Sequence, residues 1–302
     1  MWLPWTYGVF FAAVLAALTI VLRRDGGPRA LAVAPFASET AIVLALYSLW
    51  RYAGYMSPTV TGGSARRGRQ IWDLERALHL PSEVTWQRAV LPYPTLVKFF
   101  NLFYASAHVP VLIAFLIWLF VRHRSRFPQL RNVLAGFTGV SLMMHIVPVA
   151  PPRLLSGIGI VDTGIRYGQS VYANGLTSQL AAMPSVHCGW AIIVGLGVVW
   201  ASDSRWRWWA LAYPALTTVA VVVTGNHYWL DAIVAVILIA AVAVADEGAR
   251  RVVRRWFTLS RPEPESEPQR ERGPEVVGGS DRTDRIRVGL QVEPGMSGAA
   301  RG

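Results

Sequence analysis

Charge is scarce in this chain. Only 16% of its 302 residues are Asp, Glu, Lys or Arg, while 53% are hydrophobic and the mean hydropathy is +0.35. A soluble domain carries nearer a quarter of charged residues, so a bundle of membrane helices is the expected class. Lysine is almost missing: Lys98 stands alone, and arginine supplies nearly all of a net charge of +11. That bias fits a GC-rich bacterial genome. Cys188 is the lone cysteine, which excludes an intrachain disulfide and any cysteine-cluster zinc site. Nucleic acid is not the expected partner, because the arginines sit in short loops between apolar segments rather than along one groove. No internal repeat is present.

What the chain does have is long apolar runs. Seven segments approach the roughly 20 residues needed to cross a bilayer: 3–22, 31–55, 99–121, 132–150, 187–202, 207–224 and 228–246. The fold class is therefore all-α, a polytopic bundle of about six to seven transmembrane helices. The first segment is not expected to be a cleaved leader, since Arg23 and Arg24 follow the apolar run instead of preceding it. The clusters "RRDGGPR" (23–29), "VRHRSRFPQLR" (121–131), "SDSRWR" (202–207) and "ARRVVRRW" (249–256) fall on one face of the count. The positive-inside rule assigns that face to the cytoplasm of a bacterial plasma membrane. The 56–97 connection, the 150–186 loop and the 225–227 turn then lie outside. Against this, the 56–97 connection carries Arg66, Arg67, Arg69, Arg76 and Arg88; long connections obey the rule weakly.

Within that connection "GRQIWDLERALHL" places Ile71, Leu74 and Leu78 at helical spacing between charged residues. This predicts an amphipathic helix in the membrane interface, or equally a helix packed on the bundle. The tail from about 260 is rich in Pro, Glu, Arg and Gly and has too little to bury to fold. Three regions follow: residues 1–95 as amino-terminal membrane helices with the external connection, 96–248 as a catalytic helix bundle, and 249–302 as a basic juxtamembrane segment with a disordered tail.

Three polar stretches converge at the outer ends of these segments: "VAPPRLL" (149–155), "MPSVHCG" (183–189) and "TGNHYWLD" (224–231). His227 and Asp231 are four apart, so on a helix they share a face. The carboxylate would take the Nδ1 proton and leave Nε2 as base or nucleophile; the plain alternative is a pair that pins two helices. Pro184 suits the first turn of a helix, whose free amides, with the Ser185 hydroxyl, form an anion site. Ser185 also suits ordinary helix capping. His187 follows in that turn, placed to protonate a leaving oxygen. Arg153, behind two prolines, is a fixed planar donor for phosphate oxygens or lipid headgroups. His145 is expected to be a satisfied core histidine.

"PSVH" and "HYWLD", with 40 residues between their histidines, resemble motifs of the type 2 phosphatidic acid phosphatase (PAP2) superfamily over roughly residues 95–246. Three positions depart from it: Val186 stands where the family has glycine, Ile146 where it has lysine and Val221 where it has arginine. With "APPRLL" and "NLFYASAHVP" (101–110), the chain is similar to the branch holding inositol phosphorylceramide synthases. The resemblance implies His227 as nucleophile on phosphorus, Asp231 as its orienting carboxylate and His187 as general acid. It implies a phosphate cradle of Arg153 and Ser185; Arg166, in the same outer loop, is our own candidate to substitute for the absent cations beside the helix amides. His108 and Asn101 are secondary candidates. No metal or other cofactor enters this chemistry.

The expected function is thus an integral membrane enzyme cleaving or transferring a lipid-linked phosphate ester at the extracytoplasmic face through a phosphohistidine. Its partner would be a membrane lipid, either a phospholipid or a polyprenyl phosphate. The acceptor would be water in a phosphatase, or an inositol or sugar hydroxyl in a transferase. Two other readings stand beside it, a lipid transporter and an inactive scaffold on the same fold. Mid-span residues that are mostly Ala, Val, Leu and Ile argue against a transport path. Retention of His187, His227 and Asp231 together argues against the scaffold.

Overall fold

A computed structural model describes residues 4–56, 62–170 and 179–259; the expected disordered tail lies outside these. Met1–Trp256 forms one compact unit, and of the second, Phe257–Gly302, only the end of the last helix is described. Among the described residues the chain is helical, with one isolated bridge between Val149 and Ala181.

α1 (Trp5–Asp25) and α2 (Pro28–Met56) form a hairpin. α1 ends on Arg23 and Arg24, which suit the negative end of the helix dipole, and on Gly26 at φ 67°. α2 restarts on Pro28. The helices approach closely through Gly8 and Ser48. Their other faces carry exposed Phe10, Val14, Val21, Leu31 and Phe36, which suits lipid rather than water.

α3 (Ser64–Ala77) and α4 (Glu83–Val90) follow as short connecting helices, then α5 (Pro94–Ser106) and α6 (His108–Arg122). The last two meet at a 52° bend. Pro110 explains it: it has no N–H for the Ser106 carbonyl one turn back, and its ring crowds that carbonyl. α7 (Phe127–Met144), the short α8 (Thr163–Arg166), α9 (Val186–Ala201), α10 (Ala212–Val223) and α11 (Trp229–Leu259) complete the chain. The main core joins α6, α7, α9 and α11 through Leu119, Phe137, Trp190, Ile193 and Ala235.

Among the described residues three helices are long and apolar enough to cross a membrane: Trp5–Asp25, Pro28–Leu49 and Trp229–Arg254. A fourth span arises if the bent α5–α6 pair counts as one. The other expected segments fall on shorter helices. α9 has 16 residues, and the 207–224 segment divides between a 3₁₀ turn (Arg205–Leu211) and the 12-residue α10.

Polar clamps close the far end of the bundle. Arg131 pairs with Glu39 of α2, Asn132 Nδ2 donates to Asp246 Oδ1 of α11 at 2.9 Å, and Arg250 pairs with Asp246. At the near end, α3 and α4 form a cap. α3 turns Gly68, Ile71 and Glu75 inward and leaves Leu74 and Leu78 half exposed. The expected apolar stripe is therefore divided, because the buried face of this helix is made by a glycine and a carboxyl group as well as by Ile71. A Cβ on Gly68 would lie 2.6 Å from the Ala150 carbonyl, so only glycine lets α3 approach this closely. Gln87 of α4 bridges Val223 O at 3.0 Å and the backbone of Val161.

Candidate active site

The three polar stretches meet under this cap, and backbone hydrogen bonds hold them. Val149 N–H donates to Leu180 O at 2.6 Å, and Arg153 N–H donates to Gly225 O at 3.0 Å. Tyr228 Oη donates to Ala150 O at 2.8 Å. Gly225 turns the chain out of α10 at φ 70°, a conformation that strains any residue with a Cβ.

His227 stands in that turn, before α11 begins, so it does not share a helical face with Asp231 as the spacing predicts. The pair forms nonetheless. Asp231 Oδ2, in the first turn of α11, lies 3.0 Å from His227 Nδ1 and also accepts the Tyr228 N–H at 2.9 Å. Asp231 is fully buried and His227 is 4% exposed. Nδ1 has a second oxygen neighbour, Ala182 O at 2.8 Å. A carbonyl can only accept. The proton of a neutral imidazole therefore sits on Nδ1, and the Nε2 lone pair is free.

Ser185 caps α9, its buried Oγ accepting the Cys188 N–H at 3.2 Å. The capping expectation holds, and the hydroxyl keeps its own proton to donate. The first amides of α9 have no partner within the helix. His145 Nε2 lies 3.0 Å from Pro184 O and so braces the turn that carries them.

His187, on the first turn of α9, has its ring 5.8 Å from that of His227. The two imidazoles, carried by separate elements, therefore stand at one site. Tyr104 packs on His187 at 4.6 Å and on His227 at 6.4 Å. His108, 4% exposed at the start of α6, is 4.8 Å from the His187 ring, with Nδ1 3.1 Å from Tyr213 Oη. It belongs to the cluster.

Arg153 is buried on the 3₁₀ turn Pro152–Leu154. Its Nε donates to Asn226 Oδ1 at 2.9 Å and its Nη1 to Asp162 Oδ2 at 2.8 Å. Asn101 is buried, donates to Thr163 O at 3.1 Å and accepts the Thr163 hydroxyl at 2.8 Å. Both line a narrow polar cleft with Tyr104, Asp162, Gln169 and Asn226. Arg166 does not line it. It is exposed at the end of α8, with its guanidinium 5.9 Å from the Tyr167 ring.

Several residues here escape a reading of motifs. Tyr104 had a local signal, since it lies one helical turn before His108 in "FYASAH". Asn226 and Asp162 show their importance only through Arg153. Among the described residues no group of three His, Cys, Asp or Glu side chains converges as metal ligands would.

The sequence profile of the PAP2 superfamily matches residues 69–245, from α3 to α11. No curated protein and no solved structure matches the chain. That match covers more than half of the chain and takes in every residue of the cluster, from Asn101 to Asp231, so the chain belongs to the PAP2 superfamily.

Proposed function

We propose that the protein is an integral membrane enzyme that cleaves or transfers a lipid-linked phosphate ester through a phosphohistidine. The observation that carries this reading is the His187–His227 ring separation of 5.8 Å, with His227 Nδ1 engaged by Asp231 and Ala182. The His227 Nε2 lone pair attacks phosphorus and forms an N–P bond as the P–O ester bond breaks. Protonated His187 gives its proton to the departing oxygen. In the second half, neutral His187 takes a proton from the acceptor, whose oxygen attacks phosphorus as the N–P bond breaks. Arg153, the Ser185 hydroxyl and the first amides of α9 cradle the phosphoryl oxygens. Arg166 is the remaining candidate cation, one turn from the cleft.

The acceptor is a hydroxyl compound such as inositol, rather than water, in the reading that the "APPRLL" and "NLFYASAHVP" stretches support. That reading goes with the inositol phosphorylceramide synthase-like branch, to which those stretches are similar. In the topology that goes with this reading, the seven apolar segments cross the plasma membrane. The four arginine clusters and the carboxyl-terminal tail are then cytoplasmic, and the site faces outward.

The experiment is a panel of phospholipids and polyprenyl phosphates, with and without inositol, offered to the detergent-purified protein. Free phosphate and new lipid are measured separately. His227→Ala is expected to lower turnover by at least about 10³-fold. Wild-type turnover that survives in this variant would overturn the phosphohistidine route, and the product tells transferase from phosphatase.

A further inference from the structure

Two buried carboxyl groups outside the histidine cluster have no part in the mechanism above. Glu75 of α3 and Glu83 of α4 are both fully buried, which is costly for acids unless they are neutral or paired. Glu75 Oε1 accepts the N–H of Leu230 at 2.8 Å. Leu230 lies in the first turn of α11, one residue before Asp231. Glu75 thus caps, from a distant helix, the helix that carries the partner of His227. Glu83 Oε2 is held by Arg76 Nη2 at 3.0 Å, and Arg76 itself stacks over Trp72 at 4.7 Å.

The two remaining oxygens, Glu75 Oε2 and Glu83 Oε1, are reached by no N–H or O–H among the described residues. Among the described residues Arg76 is paired with Glu83 and no cation is paired with Glu75. A fully buried carboxyl group without a cation is favoured in its neutral form, the more so with the negative Glu83 nearby. Arg76 supports the charge on Glu83, which leaves the proton on Glu75.

We propose that Glu75 and Glu83 hold one proton between them and act as a positioning pair: neutral Glu75 caps α11 through Leu230 and so fixes Asp231 and the aim of His227. The inference rests on the active-site reading for its consequence in turnover, but its geometry stands apart from it. The groups that face the pair are Arg76 on α3, Tyr228 in the turn before α11 and Asp231 on α11. Arg69 of α3 acts on Tyr228. Burial, then the nearby Glu83, push Glu75 up from its ordinary 4.5 to about 9, while the Leu230 N–H pulls it down. An ionised Glu75 would set a second negative charge beside Asp231.

The test compares the full-length wild type with Glu75→Gln and Glu75→Ala in detergent. Glutamine reproduces the arrangement without a titrating proton: its oxygen accepts from Leu230 and its amide stays neutral. Folded Glu75 keeps a proton that the unfolded chain releases. Its stabilisation is therefore complete below about 4.5 and is lost progressively as the pH rises to about 9. The wild type should lose thermal stability across that window relative to Glu75→Gln, with no further divergence above it.

Glu75→Ala should lower kcat by about tenfold or more at unchanged KM. It should also move the Nδ1–H resonance of His227 in ¹⁵N-histidine-labelled protein, and Glu75→Gln should restore both. The proposal is overturned if Glu75→Gln keeps the wild-type slope of stability against pH. It is equally overturned if Glu75→Ala leaves the His227 resonance in place. Should the wild type turn over no lipid phosphate at all, the active-site reading fails, while the resonance and melting measurements still decide the positioning pair.

Discussion

Asp231→Asn separates two jobs that one carboxylate can do for a histidine. Where the carboxylate alone fixes the tautomer, as in the Ser-His-Asp triad, replacement by asparagine costs about 10⁴-fold because the ring turns its proton the wrong way. Here Nδ1 of His227 also faces Ala182 O at 2.8 Å, a backbone acceptor that the substitution leaves in place. The tautomer should survive, and only charge is lost. Attack on phosphorus through Nε2 makes the ring cationic. At about 4 Å and an effective dielectric near 20, a full charge pair is worth about 4 kcal/mol. With the charge about half developed at the transition state, this gives about 2 kcal/mol. Exchange of a charged for a neutral hydrogen bond adds about 1 kcal/mol. The sum, about 3 kcal/mol, corresponds to a fall of about 10²-fold in kcat. The assay is single-turnover cleavage of the lipid phosphate that the wild type uses best, beside a melting curve to show that the variant is folded. A fall of 10⁴-fold in a folded variant would show that Ala182 does not hold the tautomer. No fall at all would remove Asp231 from the chemistry.

Two further expectations concern the scaffold. Ser185→Ala removes the cap of α9 and should cost about 1 kcal/mol, seen as a melting point lower by about 2–4 °C; an unchanged melting point would show that the Cys188 N–H finds another acceptor. Gly68→Ala sets a methyl group 2.6 Å from Ala150 O and 2.9 Å from Tyr228 Oη. Overpacking of this kind costs about 1–3 kcal/mol, and because Tyr228 adjoins His227, turnover should fall along with thermal stability.

The parts of this molecule legible in its sequence are those with a local signature. The proline and serine before His187 announce a helix start, and α9 begins at Val186 with Ser185 as its cap. The His227–Asp231 pair was visible as a spacing, although it closes through a turn at Gly225 and not along a helix. What stayed hidden depends on distant partners. Glu75 reads as one more charge on the polar face of α3, and only its 155-residue reach to Leu230 shows otherwise. Gln87 looks like a surface residue until it bridges Val161 and Val223. Hydropathy also smooths over breaks. The 99–121 run averages out as apolar, but its proline bends it at the level of His108, and that bend brings His108 and Tyr104 to His187.

The missing cations of the family resemblance find a physical account in the same structure. Val221, where that resemblance places an arginine, is fully buried against Tyr104, Cys188 and Val222, and its carbonyl accepts the N–H groups of Asn226 and His227 at 3.0 and 3.2 Å. No guanidinium could stand there without displacing the aromatic ring that backs both histidines. Ile146, where the resemblance places a lysine, is 68% exposed and faces away from the core. Of the residues lining the cleft only Arg153 is a cation, and Asp162 already balances it. A phosphoryl group would therefore draw much of its stabilisation from the amides opening α9, equivalent to about half a positive charge, and from the Ser185 hydroxyl. Such dipoles work only when held still. The turn that carries them is tied by Val149 to Leu180 and Ala182, by His145 to Pro184 and by His227 to Ala182. The bracing of that turn is what a site short of side-chain cations would need.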